Sequence, residues 1–325
     1  MPDNALVESR PVGSELLRPG PRGTKHDGHR RLGLASRIWR ARSAYVFIAP
    51  FYVLFAVFGL FPIVYSVYLA FYSWNGLGPR IYVGLQNFSQ LLTDSEFWTS
   101  VKNTVILWLG HIFLLFIIAM CLALLTNFVW LKGRAVFRAV VMAPYMAAIA
   151  ATSLIFSLFF TYRTGVFDVL LSHVGVDINW LGSSTWSKPS IIILNIWDIA
   201  GFYMLIFLAG LQAIDLDLYE AAKVDGAGSW RRFWNITLPG LYRIIVFAFI
   251  IETIGSLQIF TEPSVLTNGG PALSSTSIGL YLYDNAFVYS KLGYAAAISI
   301  ALFVFTIAMT AVVGAIFWLL QRRWG

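Results

Sequence analysis

The chain has 325 residues, of which 58% are hydrophobic and 12% charged, with a formal net charge of +7. That apolar share exceeds the roughly 45–50% of soluble domains, so a bilayer is the expected solvent and no large soluble catalytic domain is left over. The single cysteine, Cys121, excludes an internal disulfide and a cysteine-based zinc site, and its place in an apolar run predicts a small core residue.

Residues 1–43 carry four prolines, five glycines and nine basic residues without an apolar period, which predicts a disordered basic cytoplasmic tail. Its Arg30, Arg31, Arg37, Arg40 and Arg42 are placed to meet anionic lipid. A spanning helix needs about 20 mostly apolar residues. Six windows qualify, at roughly 44–73, 101–129, 135–160, 190–212, 241–262 and 293–320. Pro50 and Pro62 should kink or break the first of them. The loop between the first two windows is mixed and aromatic, which predicts a short interfacial helix, with Trp74, Tyr82 and Trp98 in an interfacial belt. Residues 161–189 are too long for a turn and should pack on the external surface, as should 263–292, which carry LTNGGP from Leu266 to Pro271.

Lysine and arginine concentrate on the cytoplasmic side of helical membrane proteins. With the N-terminus inside, eighteen of the twenty-three basic residues fall on that side; only Arg80, Lys102, Arg163, Lys188 and Lys291 lie outside. Both termini and the segment 213–240 are therefore expected to be cytoplasmic. Topology accounts for the positive charge, and nucleic-acid binding is an unnecessary hypothesis.

Catalysis finds little support. There is no GxxxxGK[ST] phosphate loop, His26 and His29 sit in the tail, and His111 and His173 are far apart, so neither a catalytic nor a metal site is expected. Polar groups inside the apolar windows are the better leads, because a charge at the bilayer centre costs about 2.5–3.5 kcal/mol on insertion scales. Asn195, Asp198 and Phe202 share a face of the fourth window, and Glu252, Gly255, Ser256 and Ile259 a face of the fifth. Each stripe mixes hydrogen-bonding groups with apolar surface, as a sugar-binding wall requires, or else bonds one helix to another. Trp197 and Tyr203 could stack on a sugar ring or simply pack. His111 is expected to be a neutral hydrogen-bonder between helices.

Between the fourth and fifth windows, Glu220 to Pro239 reads EAAKVDGAGSWRRFWNITLP, too polar to cross a bilayer. Ala221 and Ala222 favour helix, Gly226 and Gly228 permit a turn, and Ser229 is placed to cap a second short helix that Pro239 limits. That helix puts Trp230, Phe233 and Trp234 on one face and Arg231, Arg232 and Asn235 on the other.

The segment resembles the EAA loop of ABC importer permeases: EAA, three residues, Gly, nine residues, Ile-x-Leu-Pro, here Glu220, Ala221, Ala222, Gly226, Ile236, Leu238 and Pro239. GLQNF with EFW and NT, GVF with NWLGS, LTNGGP, and LGYAAAIS from Leu292 to Ser299 are similar, in the same order, to segments of the carbohydrate-type branch, so the resemblance covers roughly 44–320. Two departures stand out: Asp215 occupies a position where that branch often has proline, and Gly240 to Arg243 lacks a proline often found after Leu-Pro.

The resemblance implies an all-α polytopic membrane protein of the maltose-type permease fold, with six transmembrane helices in a domain spanning 44–325. It implies the permease subunit of an ATP-driven sugar importer in a bacterial or archaeal inner membrane, not itself an enzyme and holding no cofactor. The implied partners are a second permease, two cytoplasmic ATPase subunits that bind ATP and Mg, an extracytoplasmic sugar-binding protein, and membrane lipid. For coupling to the ATPase it singles out Glu220, Ala221, Ala222, Asp225, Gly226, Trp230 and Phe233, with Gly226 making the turn and Trp230 and Phe233 packing the helix. For the substrate path it raises Glu252, Ser256 and Gln258 beside Asn195 and Asp198. The rival readings are a proton-coupled secondary transporter with Glu252 or Asp198 as the proton site, and a membrane-embedded enzyme.

Overall fold

The computed structural model describes residues 42–127 and 133–322. The expectations for the tail up to residue 41 and for Lys132 and Arg323 lie outside the described residues. The chain divides into two compact units at Gly59. In the first, α1 (Arg42–Phe55) contains Pro50 without interruption, and a π-helical turn begins at Ala56.

The second unit opens with α2 (Phe61–Leu69), where Pro62 stands in the first turn. This helix follows directly on the π-helical turn Ala56–Leu60, and the helical segment runs on through Pro62 instead of breaking. A small hairpin of β1 (Tyr72–Ser73) and β2 (Ile81–Tyr82) leads to α3 (Gln86–Thr93), the short helix expected in the first loop. The long α4 (Ser95–Asn127) follows, then α5 (Arg134–Met146), α6 (Ile149–Phe159), the short α7 (Val166–Ser172) and α8 (Ser187–Gln212). Beyond these lie α9 (Leu216–Val224), α10 (Ser229–Arg232), α11 (Leu238–Leu257), α12 (Ile278–Tyr283) and α13 (Leu292–Gln321).

Among the described residues, five helical segments are long and apolar enough to cross a membrane: Tyr45–Leu69, Ser95–Asn127, Ser187–Gln212, Ser229–Leu257 and Leu292–Gln321. The third expected span is not one helix. α5 and α6 meet at a bend of 96°, and the count reaches six only if the pair is taken as one broken span. The proline at Pro144 clashes with the preceding turn, and α5 ends two residues later. Ala147 and Ala148 then adopt extended backbone, which makes the corner.

The core is an α4, α8 and α11 assembly. Leu115, Ala119 and Ala123 of α4 pack against Tyr203, Met204, Phe207 and Leu211 of α8, with Leu241 and Ala248 closing from α11. Small residues at these crossings let backbones approach, as dispersion between helices requires where lipid supplies no hydrophobic drive. Gly201 is the extreme case, since a Cβ there would run into the Val141 carbonyl of α5. Cys121, expected in the core, is instead exposed on α4. The helix presents a face outside the protein core, and apolar character in a bilayer does not entail burial in protein.

One end of the bundle is clasped by Asp94. Its Oδ1 accepts the Glu96 N–H at 2.9 Å and caps α4, while Oδ2 accepts both the Tyr281 and Tyr294 hydroxyls at 2.5 Å. Burial alone would raise this carboxyl's pKa, but the tyrosine and backbone hydrogen bonds outweigh it and hold the group below the ordinary aspartate range. Asn103 donates to the Leu273 and Thr276 carbonyls at 2.7 and 3.1 Å, which ties the LTNGGP loop to α4. In the 161–189 segment, Asp168 accepts backbone N–H groups of Arg163 and Ile178, and Phe160 and Trp180 pack together, so the segment is folded as expected.

Candidate functional site

Two places hold the polar residues that the apolar spans do not explain. In the first, α11 ends at Leu257 and Gln258 turns back, its N–H bonding the Gly255 carbonyl at 3.1 Å. Glu262 then precedes a π-helical turn that begins at Pro263. This reversal returns the chain toward α8, where the Glu262 carboxylate accepts the Asn195 amide at 2.8 Å. Asn195, Glu252, Ser256, Gln258 and Glu262 line one cavity of about 290 Å³.

His111 of α4 lies 2.7 Å from Glu252, ring Nε2 to Oε1, and both are buried. The interhelical role expected of His111 has a carboxylate as its partner. Tyr203 faces the same carboxylate and packs its ring on Phe116. Trp108 donates to the Thr253 hydroxyl at 3.2 Å, a second α4 to α11 bond one position beyond Glu252. Asp198, one turn beyond Asn195, is buried, and Glu262 is the carboxylate it faces. The Oδ1 atoms of Asp198 and Asn195 have no hydrogen-bond partner among the described residues. The Ser256 hydroxyl donates to the Glu252 carbonyl at 2.7 Å, so its proton is already committed within the helix. Trp197 is half exposed, with its ring against Phe156.

The structure thus gathers Asn195, Glu252, Ser256 and Gln258 and sets Asp198 beside them. Glu262 was missed because it falls at the last position of an apolar window, where a carboxylate looks like a loop residue. The Glu-Pro pair at 262–263 carried the signal, since proline after the first residue of a turn starts a new helical segment.

The second place is the segment 213–240. Asp215 is the N-cap of α9 and accepts the Asp217 N–H at 3.0 Å, so the residue that departs from the family pattern has its own structural task. Gly226, at φ +74°, ends the helix. Its N–H bonds the Lys223 carbonyl and the Ala227 N–H bonds the Ala222 carbonyl, at 3.0 and 2.8 Å, a left-handed C-terminal cap that glycine adopts without strain.

Ser229 does not cap the next helix. Gly228 holds that position with no side-chain bond. Nor does Pro239 limit the helix: α10 continues through a π-helical turn, Phe233–Thr237, into α11. Pro239 lies in the first turn after the π-bulge, where the register change has already freed its position from a regular hydrogen bond. Trp230, Phe233 and Trp234 form one aromatic cluster, with Trp230 stacked on Phe233 at 6.2 Å and edge-on to Trp234 at 5.7 Å. Trp230 nonetheless stays 74% exposed, so its outer face is free. Glu220 is exposed and paired with Lys223 at 2.6 Å, and that partner lowers its pKa. Ala221, Asp225 and Gly226 are exposed and Ala222 half-buried. The Tyr219 and Thr237 hydroxyls, 2.9 Å apart, lock the two arms of the loop together.

Comparison with known proteins places these features. Residues 121–324 match the family described as binding-protein-dependent transport system inner membrane component. The chain is 36% identical to a sulfoquinovosyl glycerol transport system permease protein of Agrobacterium fabrum over 83% of this chain and 88% of that one. It is also 36% identical to a trehalose/maltose transport system permease protein of Thermococcus litoralis, over 84% and 92%. Against a lactose transport system permease protein of Rhizobium radiobacter the identity is again 36%, over 79% and 88%. Among solved structures, a bacterial ABC transporter involved in the import of the acidic polysaccharide alginate superposes with a TM-score of 0.77 at 27% identity, covering 87% of this chain and 98% of that one.

Proposed function

This chain belongs to the family of binding-protein-dependent transport system inner membrane components, and on that premise we propose that it is the permease subunit of an ATP-driven sugar importer. Relatives named for lactose and for trehalose or maltose support a sugar as cargo, and a cavity lined by carboxylates, amides and a hydroxyl supplies the hydrogen-bond partners that sugar hydroxyls need. A second permease completes the path, and an external binding protein delivers the sugar. One of the two ATPase subunits docks on the segment 213–240 from the cytoplasm, where both termini of the chain also lie. ATP and Mg are held by those subunits.

One observation carries the coupling mechanism. From Ser229 to Leu257 the chain is a single helical segment, so the docking arm and the helix bearing Glu252 are one rigid body. The twenty-three residue steps from Ser229 to Glu252 span about 35 Å at 1.5 Å per step. Closure of the ATPase dimer pushes on the exposed faces of α9 and Trp230, and the rigid arm carries that displacement to the sugar cavity. Because the Glu252 carboxylate is bonded to His111 on α4, the helices around the cavity move as a set.

The test is Gly226→Pro. Proline cannot adopt φ +74° and removes the N–H that bonds Lys223, so α9 loses its cap. Sugar uptake should fall at least about tenfold, and the ATPase should co-purify poorly, while membrane insertion is unchanged. Uptake and co-purification at the parent level would refute coupling through this loop.

A further inference from the structure

The sugar cavity is rich in acceptors. Glu252 and Glu262 line it and Asp198 is buried beside it. His111 bonds Glu252, and no lysine or arginine pairs with Asp198 or Glu262 among the described residues. No lysine or arginine lines the cavity among the described residues. The nearest basic side chain on α8, Lys188, lies seven residues from Asn195, about 10 Å along the helix.

Two of the donors on its wall are already engaged, while the Gln258 amide and the Thr261 hydroxyl also line it. The Asn195 amide donates to Glu262 and the Ser256 hydroxyl to the Glu252 carbonyl. Among the buried acceptors, the Oδ1 of Asn195, on the cavity wall, and the Oδ1 of Asp198 next to it remain open. Their residues are only 9% and 6% exposed, and neither atom has a partner among the described residues. A buried acceptor without a donor is costly, and a ligand that brings a donor removes that cost.

We propose that this cavity selects its sugar by charge, admitting neutral polyhydroxyl compounds and amine-bearing sugars and rejecting sugars that carry a carboxylate, sulfonate or phosphate. Hydroxyl and ammonium groups offer the protons that Asn195 and Asp198 lack. An acid group offers only further acceptors to the unpartnered Oδ1 atoms of Asn195 and Asp198, an arrangement that costs several-fold to many-fold in affinity. The inference rests on the sugar-importer reading above, because it assigns the charge class of the cargo of that same cavity.

The test uses the complete importer, this chain with the second permease, ATPase and binding protein encoded with it, in inverted and right-side-out vesicles. Uptake is measured for a radiolabelled panel of neutral disaccharides, the glucosamine disaccharide, and digalacturonate. At least one neutral or amine-bearing member should enter at least about ten times faster than digalacturonate. In Glu262→Gln that ratio should fall several-fold, with digalacturonate gaining and the glucosamine disaccharide losing. Asp198→Asn should shift the ratio in the same direction, and it serves as the independent variant if Glu262→Gln fails to assemble.

Digalacturonate uptake as fast as that of any neutral member would overturn the charge inference and leave the importer reading standing. A ratio that neither variant moves would also overturn it, because the selectivity would then reside in another subunit. Absence of ATP-dependent uptake for every sugar in the panel would sink the importer reading, and this inference with it.

Discussion

The contact between His111 and Glu252 is the best point at which to test whether polar groups hold the spans together. The two atoms lie 2.7 Å apart, with the side chains 4% and 9% exposed. Hydrogen bonds between membrane helices are worth about 0.6 kcal/mol on average and about 1.7 at most, whereas truncating one partner of a fully buried ion pair costs about 3–5. The cavity beside Glu252 decides between these limits, because it can hydrate a carboxylate that loses its partner. His111→Leu is therefore expected to cost about 2 kcal/mol, and Glu252→Gln, which keeps an acceptor and a donor in place, about 1.

At roughly 2–3 °C per kcal/mol for a body of this size, the two variants should melt about 5 °C and about 2 °C below the parent in detergent, followed by loss of monodispersity. The double variant should melt close to His111→Leu alone, giving a coupling energy of about 1 kcal/mol in the cycle. Shifts that add within error, or a His111→Leu melt within about 1 °C of the parent, would show that the contact does not fasten α4 to α11.

Three further outcomes follow from other parts of the structure. The Asp94 clasp has a folded-state pKa below the ordinary aspartate value, so its contribution is fully present above about pH 4 and is lost as pH falls through the depressed folded value; Asp94→Asn should lower the melting temperature at pH 7 and abolish that acid limb, and an unchanged acid limb would count against the clasp. Gly201→Leu should force α5 off α8 at the Val141 carbonyl and destabilise by about 3 kcal/mol or more, so a parent-like melt would disprove that helix contact. With Cys121 replaced by alanine, a cysteine at Val174, which is 72% exposed, should react with an impermeant thiol reagent in intact cells, and one at Val224, 88% exposed, should react only after permeabilisation; the opposite pattern reverses the proposed orientation.

Chemistry that repeats over many residues, or is fixed at set spacings, was legible in the sequence. Long apolar runs foretold the spans, and the spacing from Glu220 to Pro239 foretold a folded loop between two of them. Gly226 and Gly228 both permitted a turn, the family resemblance singled out Gly226, and it is Gly226 that takes the positive φ. Asn195, Asp198, Glu252 and Ser256 stood out because polar groups inside apolar runs need a partner or a purpose.

Tertiary structure decided who the partners are and where the breaks fall. His111 and Glu252 are 141 positions apart, and no local pattern pairs them. Glu262 joins the cavity only because the chain reverses after Leu257. Pro144 and Pro239 show why a residue's local tendency is insufficient: the first sits in an α-helical turn and is followed by a 96° corner, while the second follows a π-bulge that frees its position and lets the helix run on. Proline removes one donor and blocks one carbonyl wherever it stands. Whether that ends a helix depends on whether the surrounding backbone has already reassigned the bond, and only the packed structure fixes that assignment.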